Sequence, residues 1–155
     1  MRIGMGYDVH QFVAGRPLVL CGVEIEYPLG LLGYSDADVA LHAVADAILG
    51  AAALGDLGTH FPSGDERFRG MDSAEILRRV MALASSAGYT LGNVDLTIIA
   101  QRPRLIARVP QMRARLAAIL GAGVGQVSVK ATTTDHLGSI GRKEGIAAQA
   151  VVLLL

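Results

Sequence analysis

Apolar and polar positions alternate through residues 1–10 and again through 16–25, separated by the turn-rich Ala14-Gly15-Arg16-Pro17, so the chain opens on short β-strands. From residue 36 the period changes. Val39, Val44, Ala47 and Ile48 recur at helical spacing in DADVALHAVADAILGAAALG. Ser35 stands before this run as an N-cap, with Asp36 and Asp38 in a first turn that suits the positive end of the helix dipole. Residues 55–70, GDLGTHFPSGDERFRG, are dense in Gly, Pro and Asp and predict a functional loop. Ser73 and Ile76 open a second helix that ends at Gly88. TLGNVDLTIIAQ (90–101) alternates and then turns apolar, as a strand would, until Arg102-Pro103 breaks it. Pro110 marks the start of a third helix, QVSVKATTT (126–134) is a further strand, and 136–145 is a glycine-rich loop. The tail AAQAVVLLL (147–155) is too short to span a membrane and predicts a strand buried on both faces.

A length of 155 residues is the size of one domain, so 1–155 is expected to fold around a single core. The formal charge is zero, which offers no basic field for nucleic acid or an anionic membrane. Apolar residues make up 52% and charged residues 18%, few against the roughly 25% usual for a soluble domain. So few charges predict a homo-oligomer with an apolar interface. The lone Cys21 excludes an intrachain disulfide framework and fits a reducing compartment. The N-terminus lacks the pattern of a signal peptide and no apolar run is long enough to cross a bilayer, so a cytoplasmic protein is expected.

Three constellations carry chemistry. Asp8 and His10 lie two apart on a strand and leave the same face, while His42 sits about two turns into the first helix. Together they offer three zinc ligands and no fourth, the count of a catalytic site with an open position. Asp38 or Asp46, one turn on either side of His42, could orient its imidazole. On spacing alone the alternative is that Asp8 caps a turn and the histidines are ordinary polar residues. In the second constellation, Gly55-Asp56-Leu57-Gly58 and Phe61-Pro62-Ser63-Gly64-Asp65, small residues admit a ligand to the backbone. Asp56 and Asp65 can accept from sugar hydroxyls, or the same residues simply make turns. The third, Lys130-Ala131-Thr132-Thr133-Thr134-Asp135, presents hydroxyls and main-chain N–H groups without the order of a P-loop, although threonines also favour strands. Arg142-Lys143-Glu144 reads as an interface salt bridge or a solvated loop.

Taken with RIGMGYDVH (2–10), SDADVALHAVADAILGAAALGDLG (35–58), GYTLGNVDLTIIAQRP (88–103), PQMR (110–113), VKATTTD (129–135) and EGIAAQAV (144–151), these residues resemble the 2-C-methyl-D-erythritol 2,4-cyclodiphosphate synthases over essentially the whole chain. The resemblance implies an α/β fold of α+β two-layer type. Helices would pack on one face of a mixed sheet, and three sheets would line the central channel of a homotrimer with active sites between subunits. It assigns Asp8, His10 and His42 to Zn²⁺. Val9, Tyr34 and Ser35 join Asp8 and His10 in substrate binding, with Asp56, Leu57, Gly58, Phe61, Pro62, Ser63, Gly64 and Asp65 on the methylerythritol side. From the neighbouring subunit, Ala100, Gln101, Arg102, Pro103, Arg104, Leu105 and Ile106 would hold the cytidine diphosphate, with Ala131, Thr132, Thr133, Thr134 and Asp135.

Mg²⁺ or Mn²⁺ is expected near Asp135. Ser139, Arg142 and Glu144 match positions near the trimer axis, where family members can carry an isoprenoid diphosphate. The implied reaction is intramolecular attack of a 2-phosphate on a β-phosphate with release of CMP, stabilised at Tyr34 and Thr133. This chain departs from the family pattern at Tyr34, where a histidine is usual, at Ser63 for aspartate, at Asp135 for glutamate and at Ser139 for phenylalanine. Two other readings follow from the same residues: a zinc phosphoesterase with water as nucleophile, and a catalytically weakened trimer that binds nucleotide or isoprenoid diphosphate.

Overall fold

The computed structural model describes residues 1–155. Five strands form one mixed sheet in the order β4-β1-β7-β5-β6: β1 (Arg2–Val13), β4 (Gly30–Leu31), β5 (Leu91–Ile99), β6 (Val127–Thr132) and β7 (Gly145–Leu154). β7 lies at the centre, antiparallel to β1 and β5, and only β6 runs parallel to its neighbour β5. A separate antiparallel ribbon joins β2 (Leu18–Leu20) to β3 (Val23–Ile25). Helix α1 (Val39–Ala52) packs on β1 and β7, α4 (Val109–Leu120) on β6, and α3 (Ser73–Ser86) on α1 and α4, so the expected helical layer on a mixed sheet is present. No helix is long and apolar enough to cross a membrane.

In β1 the large apolar side chains Ile3, Met5, Tyr7 and Val9 point outward and are exposed, while Gly4 and Gly6 face the helices and are buried. The inward glycines follow from how closely α1 approaches. A Cβ on Gly6 would lie 2.0 Å from the Ala43 carbonyl oxygen, and one on Gly4 would lie 2.0 Å from that of Ala47. Ala43, Ala47 and Ala51, one turn apart, form the matching stripe on α1. The outward face of β7 is likewise open at Gln149 and Val151, so the C-terminal strand is buried on one face rather than both.

The first helix begins later than its sequence suggests. Ala37 has φ +61°, and Asp38 is the N-cap, accepting from the N–H groups of Ala40 and Leu41. Its two carboxylate oxygens also accept from Cys21 N–H at 3.0 Å and Gly22 N–H at 2.6 Å. A fully buried carboxylate thus ties the β2–β3 turn to the start of α1, which leaves Ser35 free for another partner. The 55–70 loop is interrupted by α2 (Leu57–His60) and a single 3₁₀ turn at Glu66–Phe68, and the glycine-rich loop by α5 (Gly138–Gly141).

Candidate metal centre and nucleotide pocket

Two residues of β1 and one of α1 converge. Asp8 Oδ2 lies 2.9 Å from His10 Nε2 and 3.0 Å from His42 Nδ1, and the two ring nitrogens are 3.2 Å apart. A tetrahedral zinc site with bonds of about 2.0 Å has ligand-to-ligand edges of about 3.3 Å. The donor set and its spacing therefore fit one divalent ion after a small outward adjustment. Burial alone would raise the Asp8 carboxyl, but hydrogen bonds and charge attraction from His10 and His42 outweigh it and hold the group well below the usual carboxylate range. Burial would lower the His10 imidazole. The Asp8 carboxylate and the Leu32 carbonyl outweigh that effect and raise it.

Outside the triad, the imidazoles are held differently. His10 Nδ1–H donates to Leu32 O at 2.6 Å, which leaves Nε2 for an ion. His42 is oriented by neither Asp38 nor Asp46: its Nε2 faces Ser73 Oγ at 2.9 Å and Ser35 Oγ at 3.2 Å. Asp38 is turned into its cap, and Asp46 accepts from Leu57 N–H at 2.8 Å, fixing the start of α2. Ser73 looks in sequence only like a helix start, and no spacing rule links it to His42.

The triad opens on a cavity of ≈ 240 Å³ shared with Tyr34, Ser35, Asp46, Leu57, Gly58, Phe61, Ser63, Phe68 and Ile76. Pro62 and Gly64 do not line it. Asp56 is directed into its own turn, accepting from Thr59 N–H and Oγ–H at 2.9 and 2.8 Å. Asp65 grips Arg67 at 2.6 Å, so Ser63 rather than Asp65 faces the cavity. The Tyr34 hydroxyl is buried without a hydrogen-bond partner, and the Arg69 guanidinium lies over the Tyr34 ring, 5.3 Å from its centroid. Phe68, Ile76 and Arg69 were not evident from the sequence. Nothing in the sequence links Arg69 to Tyr34, 35 residues earlier.

A second cavity, of ≈ 330 Å³, lies where β5 and β6 end side by side. All seven residues from Ala100 to Ile106 line it, with Ala131, Thr132, Thr133 and the unanticipated His136. Thr134 and Asp135 lie outside the lining: Thr134 Oγ donates to Leu137 O at 2.7 Å, and Asp135 N–H donates to Thr133 Oγ at 3.2 Å. Asp135 and His136 both have positive φ, and Gln101 Oε1 holds their turn by accepting His136 N–H at 3.2 Å. The two cavities share no residue. Val9 and Ser139 line a third, with Glu144, whose carboxylate holds the exposed Arg142 at 2.6 Å.

The YgbB family model matches residues 1–155. A 2-C-methyl-D-erythritol 2,4-cyclodiphosphate synthase of Geobacter metallireducens is 63% identical over 154 residues, 99% of this chain and 98% of that protein. The bifunctional IspDF of Campylobacter jejuni aligns with a TM-score of 0.95 at 42% identity, over 99% of this chain and 42% of that longer one. An IspF of Plasmodium falciparum, solved as a CDP complex, aligns with a TM-score of 0.87 at 36% identity, over 99% of this chain and 95% of its own. On sequence, fold and the placement of the triad, the chain belongs to the YgbB family, among relatives that are 2-C-methyl-D-erythritol 2,4-cyclodiphosphate synthases.

Proposed function

We propose that this chain converts 4-diphosphocytidyl-2-C-methyl-D-erythritol 2-phosphate to 2-C-methyl-D-erythritol 2,4-cyclodiphosphate, releasing CMP. It is a cyclodiphosphate-forming lyase of isoprenoid precursor biosynthesis. The observation that carries the reading is the convergence of Asp8, His10 and His42 in one cavity with Tyr34, Leu57, Gly58, Phe61 and Ser63. Asp8, His10 and His42 would hold Zn²⁺ and the Asp135 carboxylate Mg²⁺ or Mn²⁺, ions that supply Lewis acidity and charge neutralisation to phosphate oxygens.

The residues' own task is to fold the substrate back on itself. One P–O bond forms between the 2-phosphate and the β-phosphorus as another breaks, and CMP leaves with the bonding pair. No protein nucleophile is required, and positioning supplies much of the acceleration. Leu57, Gly58, Phe61 and Ser63 seat the methylerythritol, and the Ala100–Ile106 segment with Ala131 to Thr133 seats the cytidine diphosphate. The Tyr34 hydroxyl, unpartnered and buried, donates a neutral hydrogen bond to a phosphate oxygen, and Arg69, which lies against its ring and pairs with Glu66 at 2.6 Å, would bring positive charge to the phosphate by leaving that ion pair. Thr133 donates to charge developing on the transferring phosphoryl group.

The separate nucleotide cavity and the exposed apolar face of β1 support a homotrimer whose sites form between neighbours. The cavity beside Val9, Ser139 and Glu144 would then face the trimer axis, with Arg142 as a diphosphate partner. CMP release from the authentic substrate, with and without chelator and with His42→Ala as control, tests the reading. Chelator and His42→Ala should each abolish release. A linear monophosphate product would identify a hydrolase instead.

A further inference from the structure

We propose that Asp36 and Ser73 form the outer arm of the metal site, fixing His42 as the Nε2–H tautomer so that its Nδ1 faces the ion. This rests on the reading of Asp8, His10 and His42 as metal ligands.

Ser73 N–H donates to Asp36 Oδ2 at 3.0 Å and Ser73 Oγ–H donates to Asp36 Oδ1, so both serine protons point at one carboxylate. A hydroxyl has a single proton. Ser73 Oγ, 2.9 Å from His42 Nε2, therefore presents only lone pairs to the ring, which calls for a proton on Nε2 when Nδ1 binds the ion in place of its 3.0 Å contact with Asp8. Ser35 Oγ, at 3.2 Å, accepts Ala37 N–H and can turn its own proton to the second lone pair of Ser73 Oγ at 3.4 Å, which leaves it able to take the second branch of the same bond. Ser73 is 1% exposed, so water does not compete for these contacts. A carboxylate behind the hydroxyl polarises the imidazole and makes Nδ1 a better donor to a cation. His10 has no such arm, because its outer acceptor is the neutral Leu32 carbonyl.

The arm also ties the ion's ligand to the substrate-side loop. Gly70 N–H donates to Tyr34 O at 2.9 Å and Asp36 N–H to Met71 O at 3.1 Å, so residues 34–36 and 70–73 are joined along their length. Ser73 is both the first residue of α3 and the contact to His42.

The test is zinc affinity, read by competition with a chromophoric chelator on the full chain. Ser73→Ala should weaken zinc binding roughly 10- to 100-fold. Asp36→Asn, which keeps an acceptor for the hydroxyl but removes the charge, should lose less than Ser73→Ala and more than nothing. Long-range ¹H–¹⁵N spectra of the zinc-loaded parent should show His42 with a protonated Nε2, a readout that does not depend on any variant folding. Ser73→Ala affinity within twofold of the parent, or a protonated His42 Nδ1, would overturn the arm while leaving the triad intact. If His42→Ala also binds zinc like the parent, the triad reading itself fails.

Discussion

Replacing Gly6 by alanine should cost both stability and metal affinity, because one contact sets the spacing of both. The new Cβ would sit 2.0 Å from Ala43 O, 2.7 Å from Ala47 N and 3.0 Å from Ala43 C. All three are backbone atoms of α1 and cannot rotate away. An ordinary carbon–oxygen contact needs more than 3 Å, so α1 must move off β1 by about 1 Å. Overpacking of this kind costs typically 1–3 kcal/mol, and with backbone on both sides the expected value is about 3 kcal/mol. For a chain of this length that is roughly a 6–12 °C fall in melting temperature. His42 precedes Ala43, while Asp8 and His10 follow Gly6 on β1, so the same shift parts the ligands by more than the ~0.2 Å a metal site tolerates.

Urea unfolding of the metal-free protein and chelator competition for zinc would measure the two effects. Gly50→Ala is the internal control. Gly50 is also on α1, is exposed and has nothing within 4 Å of its added Cβ, so the substitution should be neutral or stabilising by up to about 1 kcal/mol. A Gly6→Ala protein that keeps its stability within about 0.5 kcal/mol and binds zinc like the parent would refute the close-contact argument.

Asp38→Asn leaves the Gly22 N–H, now 2.6 Å from Oδ2, facing an amide NH₂, and should cost about 1–3 kcal/mol at pH 7.5 by urea unfolding. Burial pushes the Asp38 carboxyl up to about 6, against the pull of its amide donors. The native state then binds this proton more tightly than the unfolded chain does, so the group's contribution is largest below about pH 4 and falls by up to about 3 kcal/mol as pH rises to 6. Asparagine does not titrate, so the gap between parent and variant should widen on acidification over that range; a narrowing gap would mean the amides hold the carboxylate ionised. Tyr34→Phe and Arg69→Ala should each slow CMP release by roughly 10- to 100-fold, and unchanged turnover in both would remove the pair from the chemistry. Tyr7, 55% exposed at the centre of the outward apolar strip, should on replacement by glutamate convert a trimer to monomers in sedimentation and abolish CMP release. A parent that sediments as a monomer would refute the assembly.

Strand and helix order was legible because the alternation at 1–10 and 90–101 and the helical spacing around Val44 and Ile48 reflect burial directly. Which face of β1 is buried was not. Pattern rules place large apolar residues inward, and here Ile3, Met5, Tyr7 and Val9 face outward because the helix backbone leaves room only for glycine. Asp8 and His10 could be paired from strand geometry, and the structure brings His42 to them. Ser73 could not be linked to His42, since the contact joins residues 31 apart on different helices. Asp38 took the cap expected of Ser35 because a carboxylate satisfies four amides from two elements at once, where a hydroxyl satisfies fewer.

That the metal centre and the nucleotide cavity share no residue has a genetic consequence. If the sites form between neighbours of the proposed trimer, a subunit lacking His42 would still offer its nucleotide half to one neighbour, and a subunit lacking Thr133 would still offer its metal half to the other. Each mixed ring therefore restores one site of three, and equal random mixing of two dead proteins should recover about a quarter of full activity. Two inactivating alleles of this gene would complement each other when they strike different halves, and fail to when they strike the same one.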